Sequence, residues 1–120
     1  MKVLVVDDES DIRRVALLGL KRLGGCEVVE AQSGAEALAL ASSEAPDVIL
    51  LDVMMPGQDG PSTLQALQAD ERTASIPVVF LTAKAMPAEI ERLTRLGARG
   101  VLTKPFDPRT LADQIRALLP

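Results

Sequence analysis

Asp7-Asp8-Glu9, Asp52, Thr82 and Lys104 are the residues of this chain whose types suit phosphoryl chemistry. An aspartate carboxylate is a nucleophile toward phosphorus. A hydroxyl and an ammonium can stabilise the equatorial oxygens of a phosphoryl group in transfer. Carboxylates gathered at one place form an all-oxygen ligand set, which selects a hard divalent ion such as Mg²⁺, or Mn²⁺ in its stead. Each residue also has a plainer use. Asp8 or Ser10 suits the cap of a following helix, acids near its start favour the helix dipole, and Asp52 alone could turn the chain. Capping does not need three carboxylates.

These residues are far apart in sequence, so the elements before them must bring them together. Val48-Ile49-Leu50-Leu51 leaves no polar face and reads as a parallel strand covered on both sides, running directly into Asp52. Lys2–Val6 is a short β-branched run that ends in the three acids, and a helix follows from Asp11 to Leu23 with Ile12, Ala16, Gly19, Leu20 and Leu23 inward. Val15 and Leu18 fall on its flank. Cys26–Ala31 is a strand whose Glu27 and Glu30 suit an edge, and Ser33 to Glu36 matches a capping box opening a helix to about Ser43. After Asp52, Met54–Gly60 reads as a loop and Pro61 as the first position of a helix using Leu64 and Leu67. Ile76–Leu81 is a strand ending in Thr82, and Pro87 to Leu96 a charged helix stopped by Gly97. Val101-Leu102 is a short strand ending in Thr103-Lys104-Pro105, and Asp107-Pro108 caps a last helix carrying Leu111, Ile115 and Leu118. Strands separated by single helices imply a parallel sheet with right-handed crossovers. All its strands exit on one edge, so Asp7, Asp8, Asp52, Thr82 and Lys104 converge there. Two carboxylates ~5 Å apart repel by roughly 3 kcal/mol at an effective dielectric of 20, so such a cluster calls for cations.

Composition narrows the field. With 120 residues, 48% hydrophobic, the chain suits one domain over 1–120. A net charge of -4 and only two aromatic residues supply neither a basic groove nor a stacking platform, which argues against nucleic acid as a partner. No apolar run reaches the ~20 residues of a membrane helix, and the N-terminus lacks a secretory core, so a cytoplasmic protein with no membrane partner is expected. Cys26 is the single cysteine and suits packing. The absence of histidine excludes a His-ligated metal, a His-dependent triad and a phosphohistidine carrier.

Val5-Val6-Asp7-Asp8-Glu9, Leu50–Gly60, Leu81-Thr82-Ala83 and Leu102–Phe106 together resemble the receiver domain of bacterial two-component response regulators, the single-domain chemotaxis type being nearest in length. The resemblance covers the whole chain. It implies a doubly wound (βα)5 flavodoxin-like sandwich, with a five-stranded parallel sheet of order 2-1-3-4-5 and helices on both faces. It also implies that Asp52 is the phosphoacceptor, fed by a histidine kinase or histidine phosphotransfer protein, in a phosphorelay component that is not itself an enzyme. Asp7, Asp8, Asp52 and the Met54 backbone carbonyl would then hold Mg²⁺, with Thr82 and Lys104 on the phosphoryl group and a cis Lys104-Pro105 bond. Met54 and Lys84 match positions that tune hydrolysis, and Val15 and Leu18 would help dock the kinase.

The chain departs from the family at Val101, where a tyrosine or phenylalanine is common. Valine has a restricted χ1 and no ring, so the usual aromatic rotor is missing. The remaining carriers of a signal are the Ala83–Met86 loop and the fourth helix, with the fourth helix, fifth strand and fifth helix as output face toward a downstream protein. A phosphate sink without output is the alternative. A metal-dependent aspartyl-phosphate hydrolase would want a second acid two residues after the nucleophile, where Met54 stands. A flavodoxin-like nucleotide binder would want a glycine- or hydroxyl-rich loop where Asp7-Asp8-Glu9 stands.

Overall fold

A computed structural model describes residues 1–120. The strands are β1 (Lys2–Val6), β2 (Glu27–Ala31), β3 (Val48–Asp52), β4 (Val78–Thr82) and β5 (Gly100–Thr103), and the helices are α1 (Ser10–Leu17), α2 (Gly34–Glu44), α3 (Gly60–Ala69), α4 (Pro87–Arg95) and α5 (Leu111–Leu118). All pair in parallel, in the order β2-β1-β3-β4-β5. β1, β3 and β4 are buried along nearly their whole length because helices cover both faces, which is why their sequences run apolar without alternation. The faces still alternate. Val3, Val5, Val48, Leu50, Val79 and Leu81 pack with Ala16 and Leu20 of the first helical segment and with Leu111 and Ile115 of α5. Leu4, Val6, Ile49, Leu51, Val78 and Phe80 pack on the other face with Ala37 and Ala41 of α2, Leu64 and Leu67 of α3, and Leu93 of α4. The small residues of α2 let it lie close to the sheet.

Register fixes the site edge. Val6 pairs with Leu51, Asp52 with Leu81 and Thr82 with Thr103, so the chain leaves β1, β3, β4 and β5 at one level. Beyond the strands the ladder continues. Asp7 N–H donates to the Ala31 carbonyl at 3.1 Å and Lys104 N–H to the Thr82 carbonyl at 2.8 Å.

The sequence reading needs correction at both ends of the chain. The expected single helix from Asp11 to Leu23 divides into α1 and a π-helical segment, Leu18–Leu23. A π turn closes i→i+5 bonds and advances less around the axis per residue. Leu23 therefore leaves the inward stripe and is 55% exposed, whereas Ala16, Gly19 and Leu20 stay buried and Ile12 is half-buried. Gly19 backs onto the Pro108 main chain, where a Cβ would meet the Pro108 carbonyl oxygen. The cap of α1 is Glu9, with no side-chain bond, in place of Asp8 or Ser10. At α5, Asp107 does not cap the helix directly. Its Oδ1 accepts from Arg109 N–H at 2.8 Å, forming an Asx-type turn over 107–110, and the helix starts at Leu111 after Thr110. Elsewhere the boundaries shift by one or two residues. Ser33 does cap α2, accepting from Glu36 N–H at 3.2 Å, and Asp59 caps α3 through Ser62 N–H at 2.9 Å.

Candidate functional site

Asp7, Asp8 and Asp52 form one cluster at the strand exits, each offering a carboxylate oxygen within 4.8 Å of the others. Asp7 is fully buried, Asp52 is 3% exposed and Asp8 faces solvent. β1 holds Asp7 by its main chain on one side. On the other, its Oδ1 accepts Glu9 N–H at 2.9 Å, and its carbonyl accepts Arg13 Nη1 at 2.7 Å. Arg13 is itself held by Glu30 at 3.3 Å, so α1 and β2 both steady the cluster.

Lys104 reaches in from the loop after β5. Its Nζ lies 2.7 Å from Asp7 Oδ2 and 3.2 Å from Asp52 Oδ1, with Glu9 at 3.9 Å. The short approach to Asp7 is a contact of charges without an aligned hydrogen bond, and Asp7 Oδ2 is a buried oxygen with no hydrogen-bond partner. Burial opposes the ammonium form of Lys104, but Asp7 and Asp52 outweigh it and raise its pKa. Asp52 is raised above its ordinary 3.8, first by burial and then by the charge of Asp7, against the pull of Lys104. One ammonium among three clustered carboxylates leaves the site short of positive charge. That deficit, the oxygen-only donor set and the orphaned Asp7 Oδ2 fit a hard divalent cation.

Asp52 presents its two oxygens unequally. Oδ1 takes Lys104 and a 3.4 Å bond from Met54 N–H. Oδ2 makes no protein hydrogen bond and is not a sealed, partnerless atom, so it is open to an incoming electrophile. Thr82 ends the neighbouring strand with its hydroxyl in the turn that follows, bonded to Lys84 N–H at 3.1 Å and to the Lys84 carbonyl at 3.4 Å. The Lys104-Pro105 bond is cis.

The remaining residues lie around this centre. Met54, 79% exposed, and Lys84 line a cavity beside Thr82, and Val101 is half-buried against the core face shared by α2, α3 and α4. Val15 and Leu18 are exposed together, Val15 on α1 and Leu18 at the first position of the π segment. Two contributors were not singled out from sequence. Arg13 reads there as one more surface cation, and only its partners reveal that it grips the Asp7 main chain. Gly60 reads as loop composition, yet a Cβ there would meet the Asp52 carbonyl and the Phe80 ring, and its N–H donates to Val53 O at 3.0 Å. The Asp-Gly-Pro order at 59–61 was the available signal.

Residues 3–116 match the family described as the response regulator receiver domain. The chain belongs to that family. It is 38% identical over 118 residues to Protein PilH of Pseudomonas aeruginosa, covering 98% of this chain and 97% of the other. To the chemotaxis protein CheY of the same organism it is 36% identical, covering 98% and 95%. The phosphate regulon transcriptional regulatory protein PhoB of that organism is 38% identical, and there the match covers 51% of its length. The receiver domain thus spans nearly all of some relatives and about half of others. Among solved structures, chemotaxis protein CheY4 of Vibrio cholerae superposes with a TM-score of 0.91 at 36% identity, over 98% of both chains. Receiver domains are signalling modules, and no helix of this one is long and apolar enough to cross a membrane.

Proposed function

We propose that this receiver domain accepts a phosphoryl group on Asp52 from a histidine kinase or histidine phosphotransfer protein and passes the signal to a protein partner. The observation that carries the reading is the free Asp52 Oδ2 beside a carboxylate cluster short of positive charge, with Lys104 and Thr82 flanking it. Asp52 Oδ2 forms the new bond to phosphorus as the donor's P–N bond breaks, and the imidazole leaves with the electron pair. Lys104 is held by Asp7 on one side and meets the transferred oxygens on the other. Asp7, Asp8, Asp52 and the Met54 carbonyl would hold Mg²⁺, which supplies the charge that lets an anion approach this cluster. Met54 and Lys84, at the mouth beside Thr82, screen the product from water.

The switch follows from the Thr82 hydroxyl. It cannot bond a phosphoryl oxygen and keep both contacts to Lys84, so phosphorylation releases the loop from Ala83 to Met86 that leads into α4. Val101 needs no rotor in this scheme. The face of α4, β5 and α5 then reports the change to a downstream protein.

Intact-mass measurement after acetyl phosphate treatment with Mg²⁺ tests the acceptor. A single phosphoryl adduct is expected, absent in Asp52→Asn and in excess chelator. An undiminished adduct in either would overturn the assignment.

A further inference from the structure

Beside the acid cluster lies a cavity of about 330 Å³, lined by Val53, Met54, Thr82, Ala83, Lys84, Met86 and Glu89. Its walls are mostly apolar, and it joins the site on two sides, since Val53 and Met54 follow Asp52 directly and Thr82 flanks it. Its size is near the lower end for small-molecule sites, roughly 300–1,000 Å³. Lys84 and Glu89 are its only ionisable lining residues. Two unbranched thioethers, Met54 and Met86, flank it, and both are exposed, Met86 to 64%. Such side chains adapt to varied apolar shapes. An imidazole donor on a kinase arrives with a whole protein surface and has no need of this space, whereas a small free donor has only its leaving group to bind with.

We infer that this cavity is a leaving-group subsite for small acyl phosphates whose acyl chain is longer than acetyl, with Met86 as a specificity-determining residue. The inference rests on the acceptor reading of Asp52. The phosphoryl end sits between Asp52, Thr82 and Lys104, and the acyl chain lies against Val53, Ala83 and Met86. Asp52 Oδ2 bonds to phosphorus, the P–O bond to the acyl group breaks, and the carboxylate leaves with its electron pair. No proton transfer is needed at neutral pH. Burial of two additional methylenes gives butyryl phosphate an advantage of roughly fifteenfold over acetyl phosphate, about fourfold for each methylene.

Second-order rate constants for phosphorylation by acetyl phosphate and by butyryl phosphate, with Mg²⁺ and intact-mass detection, test this in the parent and in Met86→Gln. The parent is expected to favour butyryl phosphate about fifteenfold. Met86→Gln keeps length and exposure but removes apolarity, so it should lose most of that preference, its butyryl phosphate rate falling much further than its acetyl phosphate rate, with a circular dichroism melt reporting intact folding. Equal rates for the two donors in the parent would overturn the subsite and leave the acceptor reading standing. A preference undiminished in Met86→Gln would overturn its placement in this cavity. Failure of both donors to phosphorylate the parent would remove the acceptor reading, and this inference with it.

Discussion

Asp52 is a carboxylate held out of water beside Asp7, and the sign of its raised pKa fixes how it bears on stability. A raised folded-state value means the protonated form is favoured by folding. That contribution is full below the unfolded value and is lost as pH rises through the folded one. At neutral pH and without divalent ions, ionised Asp52 therefore opposes folding. Asp52→Asn should raise the melting temperature at pH 7 on the order of a few degrees, a difference that shrinks as pH falls through the raised pKa toward 4. Thermal melts of both proteins in chelator, over pH 4 to 8, check this. Gly60 gives the opposite case. A Cβ there would strike the Asp52 carbonyl and the Phe80 ring, and backbone offers no flexible end to move aside. Gly60→Ala should cost about 1–3 kcal/mol by overpacking and slow phosphorylation by displacing Asp52, as urea melts and adduct kinetics would record.

At the scale of elements, the proposed reading gives the first helical segment and the Ala83–Leu96 stretch separable tasks. Val15 and Leu18 are paired apolar side chains on a helix with nothing packed over them. A Val15→Ser, Leu18→Ser double variant should lower the rate of transfer from the cognate kinase at least tenfold, the loss of about 1.4 kcal/mol of docking contact, while leaving phosphorylation by acetyl phosphate unchanged. Release of Lys84 by the Thr82 hydroxyl predicts faster amide exchange between Ala83 and Leu96 when beryllofluoride occupies the site. Exchange confined to the surroundings of Asp52 would mean that phosphate is stored without being signalled. The same elements show what could be read from sequence. β3, β4, α2 and α3 were legible because unbroken aliphatic runs, the Ser33 cap and Pro61 at a helix start are local signals. The π segment and the start of α5 were not, because each depends on a neighbour. Gly19 must fit Pro108, and Asp107 turns back onto Arg109. In the site, residue types and strand ends pointed to Asp7, Asp8, Asp52, Thr82 and Lys104 as neighbours. Arg13 and Gly60 stayed hidden because a long-range grip and a close backbone approach leave no periodic trace.

For the molecule as a whole, the charge deficit at one edge of the sheet is a standing cost that a divalent ion would relieve. On the proposed reading Mg²⁺ would bind the folded cluster and find no such arrangement in the unfolded chain, since Asp7 and Asp52 meet only across paired strands. At a concentration one hundred times its dissociation constant, it should stabilise the domain by about 2.7 kcal/mol. Calorimetric melts with and without Mg²⁺ should show that gain in the parent and lose most of it in Asp7→Asn. An equal gain in both would place the ion elsewhere.

The π-helical segment has a consequence for chain length. An i→i+5 turn uses one residue more than the i→i+4 turn it replaces, so the helical stretch from Ser10 to Leu23 holds a surplus residue in its π segment. Lys21 and Arg22, both exposed, lie in that segment. Removing one of them lets the segment rewind as α-helix without pulling on β1 or β2, and the inward face then resumes its ordinary spacing. Insertions and deletions of a single residue, which in most helices rotate every later side chain out of place, have here a position where the fold can absorb them.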